Sequence, residues 1–148
     1  MKKILGIVVL GLMVCGNAFA FNFKEDIKTY SQKNEGVVSV IYVLNRCSGL
    51  LTYTAAMLLN ESGKKNVAEK NMDHSLIIFH TAINLHSKHH SVSYDKAREI
   101  LTKKRSKLIN FYRDDAEKLF LRNGSYLSGY ILEDIKECIG TAEFLKNR

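Results

Sequence analysis

The sequence predicts an all-α fold: an antiparallel four-helix bundle with a short N-terminal helix or arm, cross-linked by one disulfide. Three observations support this fold class. Apolar residues across 37–145 recur at intervals of three and four, the period of an amphipathic helix. The chain contains no proline, so no residue of that type interrupts a long helix. Short polar links divide the apolar segments into four pieces, which an antiparallel bundle accommodates economically.

The first 20 residues have the three parts of a cleavable secretory signal. They combine a two-lysine start, an almost unbroken apolar run over 4–14 and an Ala18-Phe19-Ala20 ending typical of a cleavage site. The apolar run is shorter than the roughly 20 residues that span a bilayer. We therefore expect a signal peptide over 1–20, a mature chain from Phe21, and a periplasmic or secreted bacterial protein.

Cys15 offers an alternative, the lipid-accepting cysteine of a bacterial lipoprotein. Val14 stands where lipoprotein processing requires a small residue, and the cleavage site of the secretory signal follows immediately. Release after cleavage is therefore favoured over a lipid anchor.

Length and charge limit the possible roles of the mature chain. Residues 21–148 are enough for a single helical domain with one core. Loss of the two lysines in the signal lowers the formal net charge from +7 to +5. Such a basic exported protein can meet a protein or envelope component that is anionic, whereas nucleic acid is not an expected partner outside the cytoplasm. No transmembrane span is expected after signal cleavage.

The N-terminal half of the mature chain contains two predicted helices. A short amphipathic helix or arm over 21–34 ends before Gly36, and a long, very apolar helix follows over 37–59. Arg46 lies near the centre of the long helix. Because an unpaired charge in lipid costs several kcal/mol, we expect a buried central helix rather than a membrane span.

Three further helices are predicted after a polar, glycine-containing turn at 60–66. The first covers about 66–86 and is followed by a polar connection over 87–93. The second covers about 95–122 and stops at Gly124, a typical helix terminator. The last covers about 126–145.

Two cysteines remain after signal cleavage, Cys47 and Cys138, each on the apolar face of a predicted helix. An even number of cysteines in an oxidising compartment favours a disulfide. Bridging them would close a long loop and restrict the unfolded chain by roughly 4–5 kcal/mol in the chain-entropy model. The alternatives are two separate buried thiols or a redox-active pair.

All five histidines fall within 74–90, and His86 and His90 lie one helical turn apart. Two imidazoles at this spacing can reach one metal ion, and Asp73 or Asp95 would have to complete the site. The common alternative is a histidine-bearing helix end that interacts with the helix dipole. We expect no cofactor as the default, with copper or zinc at His86 and His90 as the alternative.

The densest basic run, a candidate anionic-partner surface, contains Lys103, Lys104, Arg105 and Lys107. Arg46 is expected to pair with an acid of the last helix, Asp134 or Glu137, or to lie on an exposed strip. The chain carries neither a glycine-rich phosphate loop nor a nucleophile elbow. We therefore expect a non-enzymatic exported protein that binds a protein or envelope partner, as an inhibitor, immunity-like or accessory protein. The alternative is a periplasmic metal or small-ligand carrier that uses the histidine-rich segment 74–90.

Overall fold

The computed structural model describes residues 25–147, and all regular secondary structure in this range is helical. The helices are α1 Ile27–Lys33, α2 Val37–Leu58, α3 Lys65–His90, α4 Tyr94–Asn123 and α5 Tyr130–Lys146. Helices α2 to α5 form the predicted antiparallel four-helix bundle, and α1 is the short N-terminal helix. The predicted signal peptide over 1–20, including Cys15, lies outside the described residues.

Two antiparallel hairpins make up the bundle. In each hairpin, the residue numbers of contacting side chains rise along one helix and fall along the other. The contacts are Ser48 with Ser75 and Thr54 with Asn71 between α2 and α3, and Tyr112 with Asp134 and Asp115 with Tyr130 between α4 and α5.

Two predicted helix ends are corrected. α3 continues to His90, so the polar connection predicted over 87–93 shrinks to 91–93. Ser91 adopts a left-handed backbone with φ 52° and donates its N–H to the Ser87 carbonyl, which terminates the helix without a glycine. α5 begins at Tyr130 rather than near 126, because Gly129 holds a φ of 55° immediately before it.

α2 is the central helix and packs against each of the other four. All residues of α2 over 41–51 are buried except Val43, which is half-buried. Gly49 permits the close approach of α4, because a Cβ at this position would lie 3.2 Å from Leu108 Cβ. Within residues 25–147, none of the helices combines the length and apolar character needed to cross a lipid bilayer.

Candidate functional site

A disulfide joins the two central cysteines, as predicted. Cys47 of α2 and Cys138 of α5 are bonded with a Cα–Cα distance of 5.1 Å, and neither is exposed to solvent. The bridge closes a segment with a sequence separation of 91. It therefore fixes the last helix to the central helix at mid-bundle.

Beside the disulfide lies a buried charged network centred on Arg46. Arg46 Nη2 donates to Asp134 Oδ2 at 2.7 Å, and Arg46 Nε donates to the Tyr112 hydroxyl at 2.6 Å. The Tyr112 hydroxyl in turn donates to Asp134 Oδ2 at 2.7 Å. The backbone N–H of Ile27 donates to the other carboxylate oxygen, also at 2.7 Å. One carboxylate thus connects α1, α2, α4 and α5.

The network contains a positive and a negative charge, Arg46 and Asp134, that are both shielded from solvent. Burial works to lower the pKa of Arg46, but Tyr112 and Asp134 raise it above its ordinary value, so the guanidinium stays charged. Burial raises the pKa of Asp134, and Arg46 is the largest opposing influence. Arg46 and Asp134 are 0% and 1% exposed. Such a pair is costly to form and more costly to break, so this network organises the bundle.

The sequence predicted only part of this network. It left open whether Arg46 pairs with Asp134, pairs with Glu137 or is exposed, and the structure selects Asp134. It missed the hydroxyl of Tyr112, a fully buried residue of α4, and the amide of Ile27. A tyrosine on a buried face must satisfy its hydroxyl, which was the available signal for Tyr112.

A cavity of about 320 Å³ lies between α1 and α5, next to this network. Its walls carry four acids and one lysine. The lining residues are Asp26, Lys28, Thr29, Tyr130, Glu133, Asp134 and Glu137. Several of these are already engaged, because Asp26 caps α1 through Thr29 and Glu133 pairs with Lys136.

A second polar group lies at the C-terminal end of α3, where three imidazoles pack together. The ring centroids of His86 and His90 are 4.3 Å apart, and those of His89 and His90 are 4.7 Å apart. Burial lowers the pKa of His86, and His90, Lys104 and His89 lower it further. Each of these neighbouring groups is basic. We name His86, His89, His90 and Lys104 the histidine–lysine cluster.

The predicted anionic-partner surface divides into paired and unpaired cations. Lys103 contacts Glu99 at 2.8 Å, whereas Lys104 and Lys107 are exposed and make no ion pair with any residue of 25–147. The prediction for Arg105 is corrected. Its guanidinium lies over the Phe79 ring at 4.5 Å, and burial lowers its pKa.

Arg105 is held in this position by a hydrogen bond from Nη2 to Thr52 Oγ1 of 2.9 Å. A helix turns a run of adjacent residues around its circumference, so one member of the basic run necessarily faces the bundle. The guanidinium joins α4 to α2 and α3 instead of facing a partner.

The structure brings the predicted metal ligands His86 and His90 together, but it places neither Asp73 nor Asp95 with them. Within residues 25–147, no group of three or more histidine, cysteine, aspartate or glutamate side chains is arranged to hold a metal ion. The other two histidines lie elsewhere on α3: His80 Nδ1 contacts the Tyr94 hydroxyl at 2.5 Å, and His74 is buried.

Comparison with known proteins found no matching family model, no matching curated protein and no matching solved structure.

Proposed function

We propose that this protein is an exported, non-enzymatic binding protein that attaches to an anionic component of the cell envelope through the exposed lysines of α4. Export is supported by the secretory pattern of residues 1–20 and by the Cys47–Cys138 bridge, a type of bond that persists in oxidising compartments. The disulfide and the buried network give the bundle a rigid frame for presenting a surface.

The observation that carries the proposal is the contrast among the cations of α4. Lys96 and Lys103 both contact Glu99, and Arg98 lies near Asp95, so these charges are largely compensated on the helix itself. Lys104 and Lys107 are not compensated by any residue of 25–147. They lie one turn apart, and Lys104 is one of the basic groups that lower the pKa of the buried His86. Uncompensated cations at an exposed site attract an anionic partner.

Binding to lipid vesicles tests the proposal. The disulfide-bonded chain 21–148 should sediment with phosphatidylcholine vesicles that contain phosphatidylglycerol and not with phosphatidylcholine alone. Lys104→Gln/Lys107→Gln should weaken this binding about 30-fold, since each lysine near an anionic surface contributes about 1 kcal/mol. Binding should also weaken as salt rises.

A variant of equal net charge is the control. Lys64→Gln/Lys146→Gln removes two exposed lysines from other parts of the bundle and should leave most of the binding intact. Equal weakening by the two double variants would show that only net charge matters and would overturn the assigned surface. Absence of binding to the anionic vesicles would overturn the lipid form of the proposal.

A metal carrier is the second candidate, supported by the 4.3 Å approach of the His86 and His90 rings. Copper or zinc should then raise the melting temperature of the mature protein, because a ligand that binds only the folded state stabilises it. His90→Gln should abolish that rise, whereas His80→Gln should not. An unchanged melting temperature in the presence of both metals would exclude the carrier.

A further inference from the structure

The turn between α4 and α5 carries apolar and aromatic side chains that face solvent. Phe120, Leu121 and Tyr126 are 40%, 85% and 38% exposed. We propose that these three residues, the α4–α5 tip, insert into the surface of an anionic lipid bilayer. This inference rests on the proposed function and deepens it, because it names a bilayer as the anionic partner and identifies the residues that enter it.

The tip has a defined shape because hydrogen bonds hold the turn behind it. Gly124 adopts a left-handed backbone with φ 74° and donates its N–H to the Phe120 carbonyl at 2.8 Å, which ends α4. Asn123 Nδ2 donates to Ser128 Oγ at 2.9 Å across the turn. Tyr126 returns to Phe120, and the two rings stack with centroids 4.2 Å apart. A preformed tip loses little conformational freedom when it binds a partner.

The chemistry of the tip suits the boundary between water and lipid. One exposed apolar residue is ordinary on a protein surface, but Leu121 adjoins Phe120 in the chain, and the exposed ring of Phe120 stacks on a second exposed ring. Aliphatic and aromatic side chains beside cations are the features by which proteins enter the headgroup region of a bilayer. A tyrosine such as Tyr126 can bury its ring there and keep its hydroxyl in water.

The charges around the tip favour an anionic bilayer over a neutral one. Residues 118–132 include no acid. Arg122 directly follows Leu121, is exposed and makes no ion pair within the part of the chain that the structure describes. Lys118 is also exposed and lies 3.6 Å from Asp115. These two cations can contact anionic headgroups when the apolar side chains enter the lipid.

Helix geometry places the tip and the proposed lysine surface on the same side of α4. Arg122 follows Lys104 by 18 residues, which is five full turns of an α-helix, and the two lie about 27 Å apart along the helix axis. Asp114, an acid on this side, is paired with Arg113 at 3.0 Å. If α4 lies along an anionic surface, the lysines contact that surface and the tip enters it at one end.

A tryptophan reporter tests insertion directly, because the chain contains no tryptophan. On vesicles of phosphatidylcholine and phosphatidylglycerol, the emission of Leu121→Trp should shift to shorter wavelength and should be quenched when the acyl chains are brominated. Leu76→Trp carries the same reporter at an exposed position near the middle of α3 and should show neither change. Equal quenching of the two reporters, or quenching of neither in vesicle-bound protein, would overturn the tip.

A glutamine variant measures how much the tip contributes to affinity. Leu121→Gln should weaken binding to the same vesicles about tenfold, which corresponds to about 1.4 kcal/mol, because an inserted leucine leaves water. Leu76→Gln makes the same chemical change elsewhere and should bind as the unmodified protein does. Raised salt should weaken the binding of the unmodified protein without abolishing it, because salt screens charges and not apolar burial. Leu121→Gln should lose the binding that remains.

Glu117 provides a test with the opposite sign. It is an exposed acid one turn before Leu121 and has no ion pair among residues 25–147, so an anionic bilayer at the tip repels it. Glu117→Gln should therefore strengthen binding to the anionic vesicles about fivefold. Glu61→Gln, which removes an exposed acid from the turn between α2 and α3, should have little effect. Equal strengthening by both variants would contradict the placement of the tip at the bilayer.

Two results separate this inference from the proposed function. Vesicle binding that depends on Lys104 and Lys107, with no quenching of Leu121→Trp and no loss in Leu121→Gln, would overturn the tip and leave the proposed function standing. Binding that depends on Leu121 and not on the two lysines would support the tip and overturn the lysine surface.

Discussion

The buried network around Arg46 and the partly exposed histidine–lysine cluster differ in whether a carboxylate accompanies their basic groups. In the network, the guanidinium contacts the Asp134 carboxylate at 2.7 Å, and a tyrosine hydroxyl and a backbone amide also donate hydrogen bonds to that carboxylate. In the cluster, three imidazoles pack together, and the charged groups that lower the pKa of His86 are all basic. The charge of Arg46 is therefore balanced by a carboxylate inside the protein. No carboxylate is among the charged groups that act on His86.

Removal of Asp134 should have the largest effect on this contrast. Asp134→Ala would leave a buried guanidinium without its counter-charge, and we expect a loss of about 3–5 kcal/mol in the free energy of unfolding. Urea denaturation followed by circular dichroism measures this loss. The Ile27 amide, which loses its acceptor, should also exchange its hydrogen faster.

Two further variants show whether the charge itself is responsible. Glu137→Ala changes an exposed acid of the same helix and should alter stability by less than about 0.5 kcal/mol. Arg46→Met/Asp134→Leu removes both charges and should cost less than Asp134→Ala alone. If the double variant were as unstable as the single one, packing rather than charge would explain the effect.

The disulfide should have the next largest effect. Cys47→Ala/Cys138→Ala should lower the free energy of unfolding by about 2–4 kcal/mol, because the unfolded chain regains the freedom of a long loop. Thermal unfolding of the variant beside the oxidised protein measures the difference. Two free thiols in protein isolated from its own host would contradict the bridge.

Two helix glycines test how tightly the region around the network is packed. Gly49→Ala should destabilise the protein by about 1 kcal/mol, because overpacking at a close helix contact outweighs the better helix propensity of alanine. A Cβ at Gly140 would have no neighbouring atom within 4 Å, so Gly140→Ala should stabilise the protein by about 0.5–1 kcal/mol. Denaturant midpoints of the two variants should therefore move in opposite directions, and parallel movement would contradict the tight α2–α4 contact.

The sequence predicted the features that depend on local spacing and composition, but not the contacts that depend on which helix faces meet. The helices and the Cys47–Cys138 bridge follow from apolar spacing and compartment, which are local and compositional signals. The partner of Arg46 depends on which faces of α2, α4 and α5 meet, so spacing left Asp134 and Glu137 as equal choices. Arg105 was misplaced for the same reason, because its contacts with Phe79 and Thr52 come from other helices. Helical spacing would have predicted the clustering of His86, His89 and His90 if the predicted helix had extended to His90 instead of ending near 86.

The smallest predicted effect is the pH dependence of stability, which comes from two buried histidines of α3, one of them in the cluster. Burial lowers the pKa of both His74 and His86 from the ordinary value of 6.5. A histidine whose pKa is lower in the folded state contributes stability above its unfolded-state pKa and loses that contribution as the pH falls through the folded-state pKa. The free energy of unfolding should therefore decrease below pH 6.5 in chloride.

Variants of the two histidines separate their contributions. His74→Gln and His86→Gln should each reduce the loss of stability in acid, because each removes one group that must take up a proton as the pH falls. Melting temperatures of the two variants and the unmodified protein, measured between about pH 5 and pH 8, test this. A loss of stability in acid that neither variant reduces would assign it to other groups.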